Sequence, residues 1–278
     1  MTRSAGRILV VVAVVAAVAA ASPGSAARGA QDGARAGEPA ALPEGVTVAP
    51  LLVEPLTALP PAPAYVGLAR LTYQPGAAVA SQGVAGTTLL YVESGSIVAE
   101  VGGAVVTGAA GPVGTAAASP AAGGGTPVEA GRPIVVPADT PFATRNDGSG
   151  PADVLQVRVS ASAAPPPLAA GVLFYRLASG VATALPAAPV QVGLGRVTLD
   201  AGASTALAPV PGPVLIVVEF GTLSLVTPGS EATLSLGGTA FIQGGTESAA
   251  RNAGAGPLVL LVLAVFPAAE GDGATPAA

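Results

Sequence analysis

The residues of this chain that could take part in chemistry are mainly arginines and carboxylates, because its 278 residues include no histidine and no cysteine. This composition removes the commonest general base, the commonest metal ligand and all thiol chemistry. Charged residues nevertheless recur at matching positions in two parts of the chain, and the pairs are Arg70 with Arg196, Glu93 with Glu219, and Arg145 with Arg251. A charge present twice predicts a structural Arg–Glu pair at a barrel rim or a domain interface, with anion binding by the arginines as the alternative.

An internal repeat explains why these charges recur. The segment "VGLARLTYQPGA" at 66–77 matches "VGLGRVTLDAGA" at 192–203, an offset of 126 residues without a gap. Further on, "RNDGSGPADVLQVRV" from Arg145 matches "RNAGAGPLVLLVLAV" from Arg251 at an offset of 106 residues. The first copy therefore holds 20 extra residues, which lie within the low-complexity stretch at 102–125 and predict a surface loop.

Short apolar runs separated by glycine and proline predict β-strands in both copies. No longer stretch carries the apolar period of a helix together with helix caps. The copies predict two all-β units, at 46–161 and 171–268, joined by a proline-rich linker at 162–170 and followed by a disordered tail at 269–278. The last strand, "PLVLLVLAVF" at 257–266, is apolar on both faces, so a second sheet, the sister unit or another subunit must cover it.

The first residues predict a signal for export. Arg3 and Arg7 precede an unbroken apolar run of 14 residues, and the small residues that end at Ala26 suit cleavage by a signal peptidase. Residues 1–26 are therefore interpreted as a signal peptide, with an uncleaved anchor as the alternative, and residues 27–45 as a disordered spacer. The mature protein would lie in the cell envelope or outside the cell, without a membrane span. Its net charge would change from −5 to −7 as two arginines leave, which disfavours nucleic acid as a partner.

Glycines and polar residues at fixed spacing in each copy resemble the two sequence motifs of the cupin superfamily. The matching positions of the first copy are Gly76, Gln82, Val84, Thr88 and Gly95, then Gly131, Pro137, Asp139, Phe142 and Asn146. Those of the second copy are Gly202, Ala208, Val210, Val214 and Gly221, then Gly237, Gln243, Gly245, Ser248 and Asn252. The resemblance covers both units. It implies an all-β fold of two tandem cupin-type jelly-roll β-barrels, the double-stranded β-helix, after an N-terminal signal segment.

The resemblance also implies where chemistry would lie, since cupins usually hold a metal with three histidines and a glutamate. The residues at those positions are Gln82, Val84, Thr88 and Phe142 in the first copy, and Ala208, Val210, Val214 and Ser248 in the second. Apolar side chains donate nothing to a metal, and amide and hydroxyl oxygens are poor ligands for transition metals. The prediction is therefore a protein with no metal centre and no cofactor.

The residues at these positions instead suggest a small binding site. The candidate ligand-binding residues are Gln82, Thr88, Phe142 and Ser248, which would suit a small neutral molecule such as a sugar. A barrel filled by its own side chains is the alternative. For function, the prediction is a non-catalytic binding or structural module. A divergent enzyme without a catalytic histidine, and an envelope scaffold or homodimer that self-associates through the apolar strands, are the alternatives.

Overall fold

The computed structural model describes residues 42–83, 86–102, 125–163, 169–205 and 208–268. The predicted signal peptide and tail, most of the predicted spacer and surface loop, and the middle of the predicted linker lie outside these residues. Within the described ranges, no helix is long and apolar enough to cross a membrane.

The described chain is built from β-strands joined by turns. The strands of the first half are β1 (Val46–Leu56), β2 (Ala64–Tyr73), β3 (Ala78–Gly83), β4 (Thr87–Ser94), β5 (Ser96–Val101), β6 (Thr126–Glu129), β7 (Pro133–Val136), β8 (Pro141–Arg145) and β9 (Ala152–Ser160). Those of the second half are β10 (Val172–Ala182), β11 (Val190–Leu199), β12 (Ala208–Pro209), β13 (Val214–Phe220), β14 (Thr222–Thr227), β15 (Ser230–Ser235), β16 (Thr239–Ile242), β17 (Glu247–Asn252) and β18 (Leu258–Pro267). Each strand of the second half falls on a counterpart in the first half, at the two offsets of the sequence repeat.

Eight strands of each half form a barrel of two sheets. In the first barrel, β2, β9, β4 and β7 form inner sheet 1, and β3, β8, β5 and β6 form outer sheet 1. The second barrel repeats this order, with β11, β18, β13 and β16 in inner sheet 2 and β12, β17, β14 and β15 in outer sheet 2. Numbered within a barrel, the orders are 1-8-3-6 and 2-7-4-5, which is the jelly-roll arrangement. The predicted all-β fold of two tandem cupin-type barrels is confirmed.

The first strand of each half is exchanged between the two barrels. β1 pairs antiparallel with β11 at the edge of inner sheet 2, and β10 pairs with β2 in the same way at the edge of inner sheet 1. Residues 57–63 and 183–189 carry the chain from one inner sheet to the other, and we call them crossover 1 and crossover 2. The predicted unit limits stay a prediction, and each predicted unit lends its first strand to a sheet of the other.

Three apolar cores separate the four sheets. One core fills each barrel, and a central core lies between the two inner sheets. In β18, Leu261 and Leu263 belong to the central core, whereas Leu258 and Leu260 belong to the core of the second barrel. Among the predicted alternatives, the sister sheet therefore covers the second face of this strand. The apolar surface on which the expectation of a homodimer rested is buried within one chain.

Glycine and asparagine shape the turns of both barrels. Gly95 and Gly221 have φ values of 72° and 87°, and a Cβ on either would lie within 2.8 Å of a backbone carbonyl oxygen. The Asn146 amide makes two hydrogen bonds to backbone groups of its own turn and a third to the carbonyl at the end of β2. The Asn252 amide makes two such bonds within the matching turn and two to carbonyls at the end of β11. These residues hold the geometry of the turns.

Candidate functional site

In the second barrel, three residues at the family's metal-ligand positions converge on one cavity. Val210, Val214 and Ser248 line a space of about 50 Å³ in the barrel interior, and the other lining side chains are mostly apolar. Ala208, at the fourth position, is buried. A valine pair and one hydroxyl do not make a transition-metal site, because such a metal prefers histidine, cysteine or carboxylate ligands.

In the first barrel, Thr88 and Phe142 are buried in the interior. Phe142 belongs to the apolar core, and Thr88 shares the inward face of β4 with two members of that core. The backbone of Gln82 pairs with Phe142 in outer sheet 1, but the Gln82 side chain and all of Val84 lie outside the described residues. Where side chains are described, no three His, Cys, Asp or Glu residues cluster to hold a metal ion. A cupin metal does not fit the described donor set of either barrel.

Two polar residues that sequence reasoning missed lie in the first barrel as well. Gln156 and Arg158 alternate with apolar residues along β9, are buried, and border a space of about 10 Å³, roughly the room of one water molecule. Burial lowers the pKa of Arg158, and nearby Tyr65 partly opposes that shift. The Oγ1 atom of Thr88 and the Oε1 atom of Gln156 have no hydrogen-bond partner among the described residues, which is uncommon for buried polar atoms. The repeat could have pointed to these two residues, because the second copy has valine and alanine where the first has glutamine and arginine.

The recurring arginines and glutamates meet between the two inner sheets. Arg70 Nε donates a hydrogen bond to Glu93 at 2.7 Å, and Arg196 Nε donates to Glu219 at 2.7 Å. The two pairs are crosslinked, because Arg70 Nη2 also donates to Glu219 at 3.2 Å and Arg196 Nη2 donates to Glu93. The predicted Arg–Glu pair at a domain interface is confirmed and extends to four residues, which we call the interface network.

The interface network favours the charged forms of its members. Burial by itself would raise the pKa of the Glu219 carboxyl, but the hydrogen bonds and charges of Arg196 and Arg70 outweigh burial, and that pKa lies below its usual value. The hydrogen bond to Glu219 in turn raises the pKa of Arg196. Arg145 forms its ion pairs elsewhere, with Glu100 and Asp147 in the first barrel. Since these guanidinium groups already bind carboxylates, the structure gives no support to anion binding by them.

A larger space lies outside both barrels, where crossover 1 meets the first barrel. Its volume is about 480 Å³, within the range of small-molecule sites. One wall is formed by residues 55–60, from the end of β1 into crossover 1, and the opposite wall by the turn 137–139 between β7 and β8. The remaining lining residues are Gly86, Thr87, Val135 and Ala161. We call this space the crossover cleft.

At the corresponding place in the second half, the chain fills much of this space itself. The ring of Phe241 packs on the backbone of Gly180, where a Cβ would lie only 2.2 Å from the ring. At the matching positions the first half has Val135 and Glu54. β10 accordingly packs against β13 and β16, whereas β1 has no comparable packing against β4 or β7 within the described chain.

Gln243 closes the same place from the other side. Its Oε1 accepts a hydrogen bond from the Thr183 N–H at 3.1 Å, and its Nε2 donates to the Val181 carbonyl at 2.8 Å. The first half has Pro137 at this position, which has no side-chain amide. The cleft is therefore open in the first half because smaller and less polar residues replace a phenylalanine and a glutamine.

The turn that borders the cleft has one unusual backbone conformation. Asp139 has a φ of 57°, and no other non-glycine residue in the described ranges has a positive φ. The second half has Gly245 at this position, with a φ of 81°. A left-handed aspartate is less favourable than glycine by about 1 kcal/mol, so its carboxylate is held at the cleft against a local conformational preference.

The strand order and the repeated barrel define the fold of this protein, which is two tandem jelly-roll barrels of the cupin type. It is similar to solved structures of oxalate decarboxylase from Bacillus subtilis, with 14% identity, a TM-score of 0.45 and coverage of 71% of this chain and 68% of that chain. It is also similar to YhaK from Escherichia coli, with 16% identity, a TM-score of 0.43 and coverage of 73% and 86%. A third similar structure is a cupin 2 conserved barrel domain protein from Leptotrichia buccalis, with 13% identity, a TM-score of 0.38 and coverage of 77% of this chain and 89% of that chain. No protein-family model and no curated protein matches the chain. These likenesses concern the fold alone.

Proposed function

We propose that this protein is an exported, non-catalytic binding module whose crossover cleft holds a small ligand. One observation carries the proposal: the first half leaves open a place that the second half, built on the same plan, fills with Phe241 and Gln243. Because the two halves share their strand order, the opening comes from a few substitutions rather than from the architecture. A pre-formed, mainly apolar pocket with a few polar groups is typical of small-molecule binding.

The residues around the cleft support binding rather than catalysis. Asp139 is the single titratable side chain that lines it among the described residues, and one exposed carboxylate supplies no acid–base pair. Export is proposed from the N-terminal sequence, in which an arginine-bearing segment precedes a short apolar run. The barrel-interior residues Gln82, Thr88, Phe142 and Ser248 remain a second proposed location for a ligand within the same function.

A thermal-shift screen of small molecules against the mature chain tests the proposal and its location. The paired substitution Glu54→Gly with Val135→Phe copies the Gly180–Phe241 packing and should fill the crossover cleft. Thr88→Val is the matched control, because it alters the barrel interior and leaves the cleft lining intact. A ligand at 100 times its Kd stabilises the folded protein by about 2.7 kcal/mol, which is readily measured as a rise in Tm.

The expected result is that compounds raise the Tm of the wild type and of Thr88→Val but have no effect on the filled variant. Loss of the effect in Thr88→Val, with retention in the filled variant, would place the ligand inside the barrel and overturn the cleft assignment. If no compound raises the Tm of the wild type, the binding role fails and a purely structural module is favoured. Circular dichroism and unliganded Tm values verify that both variants fold.

A further inference from the structure

We infer that the crossover cleft is selective for a primary carboxamide carried on an apolar ring, an inference that rests on the proposed binding function. The second half of the chain supplies the template. There the occupant of the corresponding place is itself a primary carboxamide, the side chain of Gln243, and the ring of Phe241 lies two residues earlier, in β16.

The contacts of the Gln243 amide match both of its polar ends. Its oxygen accepts from the Thr183 N–H at 3.1 Å and from the Thr183 hydroxyl at 3.4 Å. Its nitrogen donates to the Val181 carbonyl at 2.8 Å. The end of β10 and the start of crossover 2 thus offer an acceptor and a donor two residues apart. A carboxylate has no N–H for the acceptor, and it would face the carbonyl oxygen with a negative charge.

The end of β1 and the start of crossover 1 place the same two backbone groups, the carbonyl of Pro55 and the N–H of Thr57, at the crossover cleft. The segment "TALP" that begins crossover 1 at Thr57 is identical to the segment that begins crossover 2 at Thr183. Pro55 pairs with Gln191 in the register in which Val181 pairs with Tyr65, so the Pro55 carbonyl holds the equivalent place in its strand.

Pro55 has no backbone N–H, but it keeps its carbonyl, and the corresponding contact in the second half uses only the carbonyl of Val181. Among the described residues none accepts a hydrogen bond from the Thr57 N–H, and both Pro55 and Thr57 line the cleft.

The apolar part of the ligand follows from the other missing side chain. Val135 is at the position where the second half has Phe241, so the first half lacks the six-membered ring as well as the amide that fill this place in the second half. Leu56 and Leu59 provide apolar wall on the crossover side. An aromatic carboxamide replaces both missing groups in one molecule, and a volume of about 480 Å³ leaves room for substituents on its ring.

The test compares benzamide with benzoate and benzyl alcohol, which share its ring but not its amide, by ligand-observed NMR titration of the mature wild-type chain. Pro137→Gln restores the glutamine of the second half and should occupy the donor and acceptor from within. Pro137→Ala is the matched control, since it removes the proline ring without supplying an amide. Because benzoate cannot donate to the carbonyl and its charge is repelled by that oxygen, we expect a preference for benzamide over benzoate of about tenfold or more in Kd.

The expected result is benzamide binding to the wild type and Pro137→Ala, with Kd raised at least about tenfold in Pro137→Gln. Equal affinity for benzamide and benzoate, or unchanged benzamide binding in Pro137→Gln, overturns the carboxamide assignment. That failure is distinguishable from failure of the proposed function. Other compounds would still raise the Tm of the wild type, and the Glu54→Gly/Val135→Phe variant would still abolish their effect.

Discussion

The interface network gives a quantitative prediction for Glu219→Gln. Glu219 accepts hydrogen bonds from Arg196 Nε at 2.7 Å and from Arg70 Nη2 at 3.2 Å, and its side chain is 21% exposed. A hydrogen bond to a charged group contributes about 1.5–3 kcal/mol when buried, whereas an exposed ion pair contributes about 0–1 kcal/mol. Because the network is partly buried and glutamine keeps one acceptor oxygen, we expect the substitution to lower the free energy of unfolding by about 1–2 kcal/mol at pH 7.

The pH dependence of this effect follows from the lowered pKa of Glu219. A carboxyl whose folded pKa lies below its unfolded value stabilises the protein fully above the unfolded value, near 4.5, and loses that contribution as pH falls through the folded pKa. The stability difference between wild type and Glu219→Gln should therefore shrink as pH is lowered below about 4.5. Glutamine does not titrate, so the change with pH comes from the wild-type carboxyl.

Urea unfolding followed by circular dichroism at several pH values measures the difference directly. Glu100→Gln is the control, because Glu100 forms an ion pair with Arg145 in which its side chain is 41% exposed, and its loss should change the free energy of unfolding by less than about 1 kcal/mol. The reasoning would be refuted if the two variants lost equal stability. A loss for Glu219→Gln that does not change with pH would refute it as well.

Two further predictions concern the edge of the central core and the N terminus. Burial raises the pKa of Glu54, so ionisation of this carboxyl lowers the stability of the folded protein as pH rises from the unfolded value near 4.5 through the folded pKa. Glu54→Gln should therefore raise the free energy of unfolding by about 1 kcal/mol at pH 7 and leave it unchanged at low pH, as measured by urea unfolding. An equal gain at both pH values would contradict this account. The exported protein should begin at residue 27, which N-terminal sequencing of the secreted chain would verify, and recovery of an intact residue 1 in the membrane fraction would support an uncleaved anchor instead.

Much of the fold could be predicted from the sequence because the repeat compares the chain with itself. The matched segments placed Gly76 and Gly202, and Asn146 and Asn252, at equivalent turns, and backbone geometry demands these residue types there. The recurrence of Arg70 and Glu93 in the second copy likewise indicated a structural pair. Charges kept at matched places in two units are brought together when those units pack about a pseudo-twofold relation.

The exchange of β1 and β10 could not be predicted from local patterns. The two strands are counterparts in the repeat, and each forms ten residue pairs with a strand, β11 or β2, that is itself a counterpart of the other. Strand propensity and alternation identify a strand but not its partner. The choice depends on the path of crossovers 1 and 2, which carry the chain between the inner sheets, and on the central core formed by that path.

The crossover cleft was not predicted from the sequence for a related reason. The family comparison drew attention to barrel-interior positions such as Thr88 and Ser248, which are buried. Pro137 and Gln243 were aligned as members of the same motif, but their importance depends on a contact that spans 62 residues, from Gln243 to Val181. The sequence shows the difference in side-chain size and polarity between these two residues, but only the three-dimensional structure shows the cleft that this difference opens.

The exchanged strands also set the order in which the molecule can be completed. Inner sheet 1 lacks an edge strand until the chain has been made through residue 182, and β1 has no partner until β11 follows. Domains made on the ribosome usually fold from the N terminus onward, but inner sheet 1 of this chain receives its outermost strand, β10, only from the second half. The exchange therefore completes the edges of both inner sheets only after β10 and β11 have been made, and it links the two barrels to each other.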